Sequence, residues 1–208
     1  MTINHTMKKL IAEFIGTFLL TYGVALCLGS NLAPITPVLA AFILTFVAYA
    51  IGSLTGAHIN PAITLSVWGV GKIEGRLAGK YVLSQVLGGL LAMLASHTYS
   101  NVKLASLFPI TSKMDWIACG GELIGAAIFA FGVAAIIHGN VTKSASGAVA
   151  GMSLLLGLFF AASLGSMSIL NPAVALGLGV WNIMYIIGPI VGAMLGAKLY
   201  KVLNHAQQ

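Results

Sequence analysis

Two stretches decide how this chain is read: Gly56-Ala57-His58-Ile59-Asn60-Pro61-Ala62-Ile63-Thr64, and Asn171-Pro172-Ala173, whose tripeptide repeats that of the first 111 residues later. Asn is a good helix N-cap and Pro a good first helical residue, so each tripeptide starts a helix. The apolar stretches that follow, Ala62 to Val70 and Ala173 to Val180, are too short to cross a bilayer. About ten helical residues cover only ~15 Å, but two such pieces meeting tip to tip would cover ~30 Å, the hydrocarbon thickness. Irregular backbone at that depth is tolerated where it is buried in protein or lines a wet cavity. An ordinary pair of helix starts would not explain why both lie at matched places in the chain.

The surrounding composition belongs to a membrane protein. Of 208 residues, 59% are hydrophobic and 7% are charged, against about 25% charged in a soluble domain. No Asp, Glu, Lys or Arg occurs over the 58 residues from Phe14 to Gly71, nor over the 54 from Ser144 to Ala197. A spanning helix needs about 20 apolar residues, so each run holds two spans. Tyr81 to Val102 and Leu123 to Thr142 hold one each. The spans are expected at 9–29, 35–55, 79–98, 118–138, 145–164 and 182–202. Ser100 to Asp115 is the expected crossover between halves. The first apolar stretch continues as a span, with no small-residue cleavage site.

The net charge of +6 does not indicate nucleic acid, because the ten basic residues sort by loop instead of forming one soluble basic face. Lys8, Lys9, Lys72, Arg76, Lys80, Lys143, Lys198 and Lys201 fall on one side of six spans; Lys103 and Lys113 fall on the other. The positive-inside rule then puts both termini in the cytoplasm of a multi-pass cell-membrane protein. Cys27 and Cys119 both fall near the outer side, where they are either small apolar residues at helix ends or a disulfide pair.

The chain also repeats internally. Ala12-Glu13-Phe14-Ile15-Gly16 returns as Gly121-Glu122-Leu123-Ile124-Gly125 after 109 residues. Three spans per half is an odd number, so the second half enters the membrane inverted, a plan used by transport proteins. The whole chain, 1–208, is expected to be one all-α membrane domain of inverted repeats at about 8–100 and 117–204. Glu13 and Glu122 are the acids deep in spans. An intramembrane carboxylate is a candidate proton relay. The symmetric placement favours a structural alternative, in which each braces the loop before a half-helix through backbone hydrogen bonds.

The first stretch and the paired Glu residues, together with Tyr185-Ile186-Ile187-Gly188-Pro189, resemble the aquaporin and aquaglyceroporin family over nearly the whole chain. The resemblance implies six spanning helices plus two re-entrant half-helices, assembled as a homotetramer with one pore per subunit. It implies that Asn60, Pro61, Ala62, Asn171, Pro172 and Ala173 form the mid-membrane pore motifs. Half-helix N-termini carry partial positive charge, and the exclusion of protons and cations by such ends is a known property of aquaporin-type pores. His58 either lines the inner pore or satisfies a loop carbonyl.

Counting along the motifs puts the narrow outer filter at Ala40, Phe159, Ser168 and Val174. Here the chain departs from the family. Most members carry Arg where Val174 stands, and the glycerol-conducting branch usually has Asp where Ala175 follows. The expected function is a passive channel for water or small uncharged solutes, with a facilitator of glycerol or other larger neutral solutes as the alternative. An ion-coupled secondary transporter is a different class that inverted repeats also serve; scarce intramembrane charge weighs against it. A pore for ions lacks a ring of like charges. No nucleophile–base set, metal cluster or cofactor motif suggests an enzyme.

Overall fold

A computed structural model describes residues 3–99, 115–180 and 182–205, with the side chains of Tyr99 and His205 left aside. The crossover segment, with Lys103 and Lys113, lies outside the described residues. Among the described residues, eight α-helices follow in order: α1 (His5–Leu28), α2 (Thr36–Thr55), α3 (Pro61–Gly69), α4 (Gly75–Tyr99), α5 (Trp116–Ile137), α6 (Lys143–Ser163), α7 (Pro172–Gly177) and α8 (Met184–His205). Six are long and apolar enough to cross a membrane. The expected span boundaries differ from these by a few residues. His97 lies in the last turn of α4 and His138 caps α5.

The helices are inside out by the standard of soluble proteins. Long apolar side chains such as Phe42, Phe46, Leu83, Leu87, Met152 and Leu199 point outward, while alanine is the commonest buried apolar residue. Lipid is as apolar as leucine, so outward leucine costs nothing, and small inward residues let the backbones approach. Gly192 and Gly196 of α8 lie directly on the Leu123 and Ala127 carbonyls of α5. Gly88 of α4 lies in the same way on the Phe14 carbonyl of α1.

The two halves have matching arrangements. α1 packs on α2 and α4, and α5 packs on α6 and α8. Each half-helix also crosses to the other half, α3 lying on α8 and α7 on α4. The half-helices end alike. Gly71 and Gly179 take left-handed φ of 81° and 76°, and Lys72 and Val180 bond back to the carbonyls of Val67 and Ala175. This glycine stop satisfies the last carbonyls and ends each helix. It makes α7 shorter than the Ala173–Val180 stretch, at six residues against nine in α3.

Candidate functional site

The half-helices meet at their N-termini. Asn60 Oδ1 accepts the Ala62 N–H at 2.8 Å, and Asn171 Oδ1 accepts those of Ala173 and Val174 at 3.0 and 3.4 Å. Each side chain then reaches across. Asn60 Nδ2 donates to the Leu170 carbonyl at 2.9 Å, and Asn171 Nδ2 donates to that of Ile59 at 3.0 Å. An Asn amide has two N–H donors, so each keeps one. Both side chains line the adjoining cavity, where that second N–H can meet a solute. Pro61, Ala62, Pro172 and Ala173 are buried in the two helix starts, which holds both Asn side chains in register.

Strained loops deliver these tips. Ala57, Ile59, Ser168 and Leu170 all have positive φ, between 39° and 60°. Non-glycine residues adopt such angles only when the surroundings hold them there. The holders are the two buried carboxylates. Glu13 Oε1 accepts the His58 N–H at 3.0 Å, and Oε2 accepts that of Ile59 at 2.7 Å. Glu122 repeats this with Ile169 at 2.9 Å and Leu170 at 2.6 Å. Both are fully buried.

Beyond these shared bonds, the supports differ between halves. Gln85 Nε2 donates at 2.8 Å both to Glu13 and to the Thr64 hydroxyl, which pairs with His58 Nδ1 at 3.2 Å. The His58 ring also stands edge-on to Tyr81 at 5.4 Å. In the second half the Ser166 hydroxyl donates to Glu122 and accepts the Ser168 N–H at 2.9 Å. The Tyr185 hydroxyl accepts the Met167 N–H at 3.1 Å. Gln85, Thr64 and Ser166 escaped the sequence reading. Gln85 carried a weak signal, as the one Gln within the expected spans.

Two chambers lie in this region, and both Asn side chains line the first. One, of about 270 Å³, opens toward the α1–α2 turn, on the face away from the chain ends; the other, of about 530 Å³, opens beside the α5–α6 turn, on the face of the chain ends. His58 borders both, so it lies at their junction, and its ring nitrogen bonds Thr64 rather than a loop carbonyl. Ala40, Ser168 and Val174 come together around the smaller chamber. Phe159 does not. It is 55% exposed on the outer side of α6, and Leu158 and Ala162 line the chamber in its place. A helix turns 100° per residue, so an offset of one in an ungapped count moves a side chain from lumen to lipid. The Ser168 hydroxyl donates to the Leu158 carbonyl. Cys27 and Cys119 are free thiols, and Cys27 Sγ bonds the Leu32 carbonyl at 3.1 Å.

Residues 1–200 match the family model described as Major intrinsic protein. Aquaporin AqpM of Methanothermobacter marburgensis is 28% identical over 247 aligned residues, covering 95% of this chain and 97% of that protein. Aquaporin NIP1-1 of Arabidopsis thaliana is 29% identical, covering 97% of this chain and 75% of that protein. The X-ray structure of the aquaglyceroporin from Plasmodium falciparum superposes with a TM-score of 0.63 at 19% identity, over 94% of this chain and 93% of that one. At that identity the likeness is one of fold.

Proposed function

The chain belongs to the major intrinsic protein family, and from that premise we propose that it is a passive channel whose path runs through both chambers and past Asn60 and Asn171. The observation that carries this is the crossed pair of Asn bonds. They lock two helix N-termini face to face and leave one N–H of each Asn for the lumen. A water held by both donors turns its oxygen to them and cannot accept a proton from the next water at that moment. The paired positive helix ends raise the energy of a cation there, as is established for aquaporin-type pores. Glu13 and Glu122 act as braces. Each accepts two loop N–H groups and one side-chain donor from within the chain, the set of partners a brace needs.

Uncharged solutes fit this path, because among the described residues no Asp, Glu, Lys or Arg lines the smaller chamber and Lys143 alone lines the larger one. The lining of the smaller chamber supports an outer constriction at Ala40, Leu158, Ser168 and Val174. The eight basic residues at the face of the chain ends support a cytoplasmic assignment for both termini in the cell membrane. The exposed apolar faces of α2 and α6 suit contact with lipid or with neighbouring subunits of a homotetramer.

Stopped-flow light scattering on proteoliposomes tests the channel. Osmotic water or glycerol flux should exceed that of protein-free vesicles and be unchanged by an imposed proton or sodium gradient. Flux that appears only with such a gradient would establish a coupled transporter instead.

A further inference from the structure

The smaller chamber has few hydrogen bonds to offer. Its wall is apolar on every side: Val24 from α1, Leu44 from α2, Phe129 from α5, Leu154 and Leu158 from α6, and Val174 from α7. Five polar side chains reach it: Thr36, His58, Asn60, Ser168 and Asn171. Two of these already use their only proton within the chain. The Thr36 hydroxyl donates to the Ala33 carbonyl at 2.7 Å, and that of Ser168 donates to the Leu158 carbonyl. Asn60 and Asn171 line its inner end, each with one N–H left over, and His58 stands where it joins the other chamber. From the mouth down to these three residues, the described side chains supply no free donor.

We propose that this chamber selects uncharged solutes with an apolar body and few hydroxyl or amino groups, in preference to polyols of the same size. The inference rests on the channel assignment above. A hydroxyl both donates and accepts. Between the mouth and the Asn pair it can donate to oxygen atoms but finds no donor among the described side chains to accept from, and an unmatched polar group is costly to desolvate. Each added hydroxyl repeats that cost. A methyl in its place meets leucine, valine and phenylalanine, where burial is favourable. The Ser168 hydroxyl is a positioning group. Together with the Ser166 bond to its N–H, it holds a residue whose φ is 60°, and it presents lone pairs rather than a proton to the lumen.

The test compares matched pairs in proteoliposomes: glycerol against 1,2-propanediol, and urea against acetamide. Water flux is recorded on the same vesicles, and protein-free flux is subtracted. The diol should outrun the triol by about five- to tenfold, the effect of one less unmatched hydroxyl, and acetamide should outrun urea. Glycerol and urea equal to or faster than their partners, in vesicles that conduct, would overturn the proposal and leave the channel assignment standing. Absence of channel flux for all four solutes and for water would remove both. Leu158→Asn adds a donor to the wall and should draw the diol-to-triol ratio toward unity. Ala162→Asn, at an exposed position on the same wall and with two amide protons, makes the same test if the first variant fails to fold. An unchanged ratio in every variant that folds would also overturn the proposal.

Discussion

The two halves reach one backbone arrangement by different chemistry. In the second half, Gly188, Gly192 and Gly196 form a ridge at every fourth residue of α8, lying on the carbonyls of Cys119, Leu123 and Ala127. In the first half, Gly88 on the Phe14 carbonyl is the counterpart of Gly192 on that of Leu123, since Phe14 and Leu123 are separated by the repeat spacing. One turn to either side, α4 carries Ser84 and Ala92 where α8 carries Gly188 and Gly196. Three residues before the shared glycine, α4 has Gln85 and α8 has Pro189. Proline has no donor with which to reach a carboxylate. Glu122 is supported from its own loop by Ser166, while Glu13 is supported from the neighbouring helix by Gln85. One half gains rigidity mainly from close helix contact, the other from a buried polar network.

That contrast makes substitutions behave differently at equivalent places. The largest effect is expected on the glycine ridge. A Cβ at residue 196 falls inside the contact distance of the Ala127 carbonyl, which is backbone and cannot give way. Gly196→Ala should destabilise at the upper end of about 1–3 kcal/mol, the usual cost of overpacking. Ala92→Gly, at the equivalent place on α4, should cost only about 1 kcal/mol, the glycine penalty in a helix. Thermal unfolding in detergent compares them, and equal losses would mean that the halves do not differ in packing.

The carboxylate supports come next. Gln85→Leu removes a hydrogen bond to a buried charge and should cost about 2 kcal/mol. Glu13→Gln and Glu122→Gln each replace one of two acceptor oxygens with a donor facing a loop N–H, at about 1–3 kcal/mol. Neither Glu substitution should make solute flux pH-dependent. Proton-driven uptake by the unmodified protein, lost in either variant, would turn the braces into a relay. Folded yield and flux against pH separate these outcomes.

The smallest effect is expected at the end of α3. Lys201 Nζ donates to the Val70 carbonyl at 3.2 Å, a cation at the negative end of a half-helix. Lys201→Met should cost about 0.3–1 kcal/mol, and less at high salt. Melting at two salt concentrations measures this, and a salt-independent loss would point to packing of the side chain rather than its charge.

Much of the fold was legible in the chain. Absent charges marked the six spans, and the matched Asn-Pro-Ala tripeptides marked two half-helices. Glu13 and Glu122 were found because an acid deep in an apolar run stands out. Their neutral partners did not stand out in the same way. Gln85, Thr64 and Ser166 are common residue types, and only folding brings them to the carboxylates. Phe159 failed for a different reason. A motif count fixes position along the chain, whereas lumen or lipid is decided by rotation of the helix, and α6 turns Leu158 inward.

What the chain determined by itself was set by transfer free energy and local capping. Charged groups are excluded from hydrocarbon, and Asn followed by Pro starts a helix wherever it occurs. What tertiary structure decided was set by contacts across the sequence. The Asn60 bond to Leu170 and the Asn171 bond to Ile59 join residues more than a hundred positions apart. The direction in which the Ser168 proton points depends on a carbonyl of another helix. Hydrogen bonds are directional, so whether a polar side chain is offered to the lumen or consumed within the protein is known only once its partner has been placed.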